Sequence, residues 1–113
     1  MTVFEQGEIV CLDFDPQSGD GQRGHHPALV VRSGLLNRVS GLTMVCPITN
    51  TARDHPFHVR LDGTTKTTGV VMCDLARMLD LGRRRAAFEE KAPASVTAEA
   101  ADLIMGFIEH SQK

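Results

Sequence analysis

The sequence predicts a mainly β protein, a small curled barrel that carries one packed helix at its C-terminal end. Short apolar runs of strand type, separated by polar turns that contain glycine, occupy most of the 113 residues. The last segment differs, because apolar residues between Val96 and Ile108 recur three and four positions apart. Several short strands followed by one amphipathic helix are typical of a curled sheet that packs against the helix.

Strands are predicted at residues 8–14, 27–32, 42–48, 58–61, 69–73 and 86–92, where apolar and β-branched residues cluster between turn formers. Pro47 marks an edge strand or the end of the third strand, because proline removes a ladder donor. Residues 37–41 are predicted to be a turn, and residues 75–79 one short helical turn. The terminal helix begins near Ser95, with Ser95 or Thr97 as its N-cap.

Length and composition predict a single domain over residues 1–113. Hydrophobic residues make up 42% of the chain, enough for one core, and the chain is too short for two ordinary domains. The N-terminal region carries Glu5 and Glu8 rather than a basic stretch before an apolar one, so no targeting segment is expected. No apolar run approaches the ~18 residues of a membrane span. We therefore expect a cytoplasmic protein without a membrane partner.

Neither the cysteines nor the paired histidines predict a metal site. Cys11, Cys46 and Cys73 stand singly within apolar runs, which favours buried, reduced thiols. His55 and His58 could face the same way, and we expect no third ligand type nearby. We expect no bound metal there.

Charge is distributed unevenly although the net charge is only -2. Residues 1–22 carry a net charge of -5, residues 23–85 carry +6, and residues 86–113 carry -3. The middle segment is the part suited to a phosphate backbone. A solvated surface of mixed charge would give the same sums.

An ordered set of short motifs begins near the N-terminus. Residues 7–10 read Gly-Glu-Ile-Val, residues 13–16 read Asp-Phe-Asp-Pro, and a polar loop at residues 19–27 leads into Ala-Leu-Val at residues 28–30. This order resembles the MazF/PemK/Kid family of toxin ribonucleases. The match continues through Val-Cys-Pro-Ile-Thr at residues 45–49 and through Thr-Thr-Gly-Val-Val and Cys-Asp further on, so it covers nearly the whole chain.

The resemblance implies the SH3-like barrel with a C-terminal helix that this family shares with the CcdB gyrase poisons. It also implies the toxin of a type II toxin–antitoxin system, a sequence-selective endoribonuclease that cuts single-stranded RNA without a metal or other cofactor. The implied assembly is a homodimer that binds a cognate antitoxin through the antitoxin's acidic, disordered tail. DNA would be contacted only through the antitoxin.

Metal-free RNA cleavage needs a base for the 2′-hydroxyl proton, an acid for the leaving 5′-oxygen and donors to the transition-state phosphate. The resemblance implies that an Arg before the loop Pro, a Thr ending the third strand and a loop Glu-Gln supply these groups. By position the Thr is Thr49 and the Gln is Gln22. The Arg position holds His26 and the Glu position holds Gly21.

An imidazole can still act as acid or base near neutral pH, although it lacks the fixed charge and forked donors of a guanidinium. Arg23, in the same loop, could supply the missing cation. In the Kid branch a loop His and an Arg before the Cys-Asp pair also take part; those positions hold Asp20 and Met72 here, and the Asp is kept as Asp74. The catalytic candidates are His26, Thr49, Arg23 and Asp74.

The RNA-binding candidates are polar or cationic side chains in or near the basic middle segment. They are Gln22, His25, Arg53, Arg77, Arg83 and Arg84. Alternatives remain open for several: His25 as an exposed loop residue, His26 as a structural donor beside Pro27, and each Arg as surface charge without a function. Asp13 and Asp15 are interpreted as caps and turn formers.

Two other functions compete with the nuclease. A family member whose site has degenerated would bind RNA or protein without cutting. A gyrase poison of the CcdB type would need an apolar or aromatic C-terminal end, whereas this sequence ends Glu-His-Ser-Gln-Lys.

Overall fold

The computed structural model of the chain describes residues 3–14, 25–51 and 54–108. Within these ranges the strands are β1 (Glu8–Asp13), β2 (His25–Val30), β3 (Thr43–Thr49), β4 (His58–Arg60), β5 (Val70–Met72), β6 (Arg77–Leu79) and β7 (Ala87–Lys91). The α-helices are α1 (Gly34–Ser40) and α2 (Ala94–Ile108), and short 3₁₀ helices lie at Cys73–Leu75 and Leu81–Arg83.

The strands form an antiparallel sheet in the order β4-β5-β3-β2-β1-β7, and β6 also pairs with β3. Residues 43–45 of β3 pair with β6, whereas Ile48 and Thr49 pair with β5. Two strands therefore share one edge of β3, so the sheet is not a flat row of neighbours. The predicted mainly β, curled fold is confirmed, and the six predicted strands match β1–β5 and β7 to within two residues at each end.

Hydrophobic residues lie in two clusters because successive strand residues point to opposite faces. Ile9 and Leu29 belong to one cluster with Cys46, and Val10 and Val30 belong to the other. These five side chains are fully buried. Burying each of the larger aliphatic side chains contributes about 1.5–3 kcal/mol, so both clusters hold the strands in register.

Helix α2 covers the first of these clusters. Val96 and Ala100 are buried there, and Leu103 and Ile104 pack against it, as the apolar spacing predicts. The predicted cap is wrong, because the helix begins at Ala94 and the Thr97 hydroxyl donates back to the Pro93 carbonyl at 3.4 Å. None of the helices in the described ranges is long and apolar enough to cross a membrane.

Helix α1 occupies the region that the sequence predicts to be a turn at residues 37–41. Ser33 caps the helix by accepting from the Leu36 N–H, and Gly41 ends it in the left-handed region at a φ of +78°. Asn37 is buried and donates to the carbonyls of Phe4 and Arg32 at 3.2 and 3.0 Å. Its amide therefore serves tertiary contacts instead of a local turn.

Two further predictions are corrected by the pairing of β3. Residues 75–79 contain only the end of a 3₁₀ helix, and β6 then pairs with β3 through Leu79 opposite Thr43. Pro47 does not end β3, which continues to Thr49. The buried thiols are confirmed for Cys46 and Cys73, while Cys11 is half-buried.

Candidate active site

The register of β2 and β3 predicts that two of the candidate catalytic residues lie on one face of the sheet. Ala28 lies opposite Pro47 and Val30 opposite Val45 in this antiparallel pair. Continued two residues further, the same register puts His26 level with Thr49. Opposed residues of antiparallel strands share a face, so the two side chains point to the same side of the sheet. His26 is exposed and Thr49 is half-buried.

The Thr49 hydroxyl is held by a tight local turn. Its Oγ1 accepts from the Thr51 backbone N–H at 3.2 Å and lies 3.0 Å from the Thr51 hydroxyl. These contacts fix the hydroxyl at the strand end, where it remains partly accessible. A fixed donor in this position can contact a phosphate oxygen with little loss of side-chain entropy.

Gly69 lets the start of β5 pass close to the Thr49 backbone. It adopts a φ of +112°, and a Cβ there would lie 2.7 Å from the carbonyl carbon of Thr49 and 3.0 Å from the Asn50 side-chain oxygen. A real Cβ essentially never approaches so closely. Any larger residue would therefore displace the Thr49 backbone.

Beside Thr49 lies a cavity of about 740 Å³. Its wall includes Asn50, His58, Arg60 and Val70. The cavity is polar, and it is bounded by strands on one side and by the residues before β4 on the other. It is large enough for a nucleotide-sized group.

Asp74 enters this region from the 3₁₀ helix at Cys73–Leu75. Its Oδ1 lies 3.4 Å from Nε2 of His58, and the His58 ring stacks on that of His55 at a centroid distance of 4.5 Å. The expectation that no third ligand type lies near the two histidines is therefore wrong, because the folded chain brings a carboxylate next to them. The fold supplies Asp74 from 16 positions further along the chain.

Asp13 is structural, but its role differs from a turn former. It is buried at the end of β1 and contacts His25 Nδ1 at 3.0 Å and Arg85 Nε at 2.7 Å. The Arg85 guanidinium, with a smaller contribution from His25, holds the pKa of the Asp13 carboxyl below its usual value. His25 is therefore the residue at which β2 begins, and its ring contacts a carboxylate. The alternative that His25 is an exposed loop residue is wrong.

The arginine candidates separate into two groups. Arg84 donates to the carbonyls of Asp13 and Phe14 at 3.2 and 2.7 Å, so its guanidinium serves the fold. Arg77 and Arg83 are exposed; Arg77 lies over the Phe14 ring at 5.7 Å, and Arg83 lies 3.6 Å from Asp80. The two exposed guanidinium groups remain accessible to an anionic ligand.

Several candidates lie outside the described residues. They are Gln22, Arg23, Arg53, Asp15 and the loop positions 20 and 21. Sequence reasoning missed the positioning roles of Gly69 and Arg85 and the contact of His58 with Asp74. The Gly69 role has a sequence signal, since the residue belongs to the Thr-Thr-Gly-Val-Val motif, whereas the other two contacts join distant segments and leave none.

Comparison with known proteins assigns the chain to a family. The family model described as PemK-like, MazF-like toxin of type II toxin–antitoxin system matches residues 5–108. The chain belongs to this family. The resemblance in the N-terminal and central motifs is thereby confirmed, and the matched region includes both His26 and Thr49.

This chain is similar in sequence to known endoribonucleases and in structure to a solved MazF toxin. Endoribonuclease PemK of Escherichia coli is 40% identical over 100 residues, which cover 85% of this chain and 75% of that protein. Endoribonuclease toxin ChpB of Escherichia coli strain K12 is 43% identical over 90 residues, covering 74% and 75%. Crystalline MazF from Deinococcus radiodurans is 39% identical with a TM-score of 0.83, covering 96% of this chain and 98% of that one.

A MazE–MazF complex from the same organism is also similar. Its matched chain is 35% identical with a TM-score of 0.82, covering 98% of this chain and all of that one. These coverages and TM-scores show that the overall fold of this chain is that of the two Deinococcus radiodurans structures. The PemK-like, MazF-like chain therefore presents its candidate site on the fold that these toxins share.

Proposed function

We propose that this toxin is a sequence-selective endoribonuclease that cleaves single-stranded RNA without a metal. The observation that supports the proposal is the register of β2 and β3, which, if continued by two residues, sets His26 level with Thr49, a residue that lines the cavity. The names of the relatives PemK and ChpB, both endoribonucleases, support the same reaction class. Single strands are the expected substrate because splayed bases expose the edges that confer selectivity.

In the proposed reaction the 2′-oxygen attacks the phosphorus and the 5′-oxygen leaves, which gives a 2′,3′-cyclic phosphate. His26 either accepts the 2′-hydroxyl proton or donates a proton to the leaving 5′-oxygen, and water exchanges the other proton. The Thr49 hydroxyl donates to a non-bridging phosphate oxygen, and Arg23 supplies the positive charge that an imidazole lacks. Asp74 completes the catalytic set as a polar group at the edge of the cavity.

RNA binding is assigned to the cationic and polar side chains nearby. The exposure of Arg77 and Arg83 supports their role as phosphate contacts. RNA contacts by Gln22, His25 and Arg53 are proposed from their positions in the sequence alone. Arg84 is retained only as a positioning residue, because its guanidinium donates to backbone carbonyls.

The proposed partners follow from the family. The MazE–MazF complex of Deinococcus radiodurans supports a cognate antitoxin for this chain. An acidic, disordered antitoxin segment suits a toxin whose residues 23–85 carry a net charge of +6, because folding on binding allows a long segment to cover a groove. We also propose a homodimer, with DNA contacted only through the antitoxin.

The decisive experiment incubates the purified protein with a long RNA in the presence of EDTA. Fragments that end in a 2′,3′-cyclic phosphate or its 3′-phosphate hydrolysis product are expected. Cleavage that disappears in EDTA and returns with magnesium contradicts metal independence. RNA binding without any cleavage would favour the binding-only alternative, for which the replacement of the family Arg by His26 is the supporting observation.

A further inference from the structure

His55 and His58 line the cavity beside Thr49, and Asp74 lies next to His58. Each offers one atom that can ligate a metal ion, and these three atoms lie within 4.8 Å of one another. Residues 3–14, 25–51 and 54–108 contain no second group of three such side chains. We propose that these three residues form a binding site for a transition-metal ion of the Zn²⁺ class.

The separation of His58 and Asp74 favours ligation over a direct ion pair. Their Nε2 and Oδ1 atoms are 3.4 Å apart, which is long for a charge-assisted hydrogen bond of ~2.7–2.9 Å. Two donor atoms bound to one Zn²⁺ at ~2.0–2.1 Å with tetrahedral angles lie about 3.3–3.4 Å apart. The pair therefore already has the spacing of two ligands.

The His58 ring can offer its Nε2 atom without losing a hydrogen bond. Its side chain is mostly buried, and Nδ1 has no hydrogen-bond partner among the described residues. Because no acceptor fixes the tautomer, the proton can reside on Nδ1 and leave the Nε2 lone pair for a cation.

His55 needs only a small rearrangement to become the third ligand. The residue is exposed, and its ring is held by the stack on His58 and by a 3.1 Å hydrogen bond from the Phe57 N–H to Nδ1. Rotation of the ring breaks that one exposed hydrogen bond, and water can replace it.

Two imidazoles and one carboxylate favour borderline metals such as Zn²⁺ over Mg²⁺ or Ca²⁺, which prefer oxygen ligands. A tetrahedral ion held by three protein ligands keeps a fourth position for water or another ligand. The metal site itself does not depend on RNA cleavage. If cleavage uses Asp74, which rests on the function proposed above, a bound ion lowers the rate by engaging that carboxylate.

The test titrates the reduced, chelator-treated, full-length protein with Co²⁺, which reports by visible absorption, and then displaces it with Zn²⁺. We expect one Co²⁺ per chain. His55→Ala and Asp74→Asn should each weaken binding by at least about tenfold, because each removes a ligand. Both residues are exposed, and circular dichroism verifies that the variants fold.

His25→Ala is the matched control. It removes a histidine that also contacts a carboxylate, Asp13 at 3.0 Å, but belongs to no group of three in the described residues, so Co²⁺ affinity should be unchanged. Three results overturn the proposal: no visible band, a Co²⁺ affinity of both ligand variants equal to that of wild type, or an intense near-ultraviolet sulfur band that assigns the ion to cysteine. No RNA is present, so failure here leaves the nuclease proposal untouched.

Discussion

Arg85 donates from Nε to Oδ2 of Asp13 at 2.7 Å, and its terminal nitrogen lies 3.3 Å from Oδ1. The contact joins the end of β1 to the segment just before β7, 72 positions away. Arg85 adopts a φ of +50°, which is unfavourable for a residue with a side chain. The ion pair therefore holds a backbone conformation that the local sequence does not favour.

Asp13→Asn is predicted to lower the free energy of unfolding, and the loss should depend on pH. The pKa of Asp13 is lowered in the folded chain, chiefly by Arg85, so its charge stabilises the fold above the ordinary value of 3.8. That contribution disappears as pH falls through the lower, folded-state pKa. Urea unfolding at pH 7, 5, 4 and 3 should show the difference between wild type and variant shrinking below about pH 4.

Asp62→Asn is the matched control for this pH dependence. The pKa of Asp62 is also lowered, but its main partner is the hydroxyl of Thr64, two residues away in an exposed turn. Its substitution should change stability much less at every pH. A difference for Asp13→Asn that stays constant from pH 7 to pH 3 would contradict the ion-pair explanation.

Gly69→Ala is predicted to reduce cleavage at least about tenfold, because its Cβ would meet the backbone of Thr49 and move the hydroxyl. Gly63→Ala provides a matched control. Gly63 also has a positive φ, of +88°, but its Cβ would meet nothing within 4 Å. Both variants carry the backbone cost of about 1–2 kcal/mol, so only the displacement of Thr49 separates them. Equal cleavage by the two variants would show that the position of Thr49 is not critical.

The sequence predicts the strands well because period and turn residues are local signals. Alternation and apolar runs locate β1 to β5 and β7, and the spacing of Val96 and Ala100 predicts the buried side of α2. Helix α1 was missed because Asn37, a common turn former, directs its amide to carbonyls that only the fold brings near.

In the candidate site, too, some features follow from the sequence and others depend on contacts that only the fold creates. Thr49 and His26 follow from the order of the motifs, and the β2–β3 register brings them together. The contact of His58 with Asp74 depends on the turn at Cys73–Leu75, and the role of Arg84 depends on where β1 ends. No local pattern records either distance, so sequence reasoning treated Arg84 as a free cation.

The arginines are predicted to differ in their effect on RNA binding. Arg77→Ala should reduce the slope of log affinity against log salt by about ~0.7, as expected for one lost phosphate contact on a single strand. Arg84→Ala should instead destabilise the fold, because two carbonyls lose their donor, and should leave the slope unchanged. Binding measured from low to moderate salt, together with urea unfolding, separates the two effects. Equal slopes for wild type and Arg77→Ala would exclude Arg77 from the RNA groove.

His26 is predicted to transfer protons, since the register of β2 and β3, continued by two residues, sets it level with Thr49. His26→Ala should lower the cleavage rate about 100-fold or more with RNA affinity nearly intact, because general acid–base groups contribute ~10²–10⁴. The wild-type pH–rate profile should contain a limb that the variant lacks. His26→Arg should keep activity through donation to the phosphate yet lose the same limb. Wild-type cleavage by His26→Ala would make His26 structural and assign proton transfer elsewhere in the site.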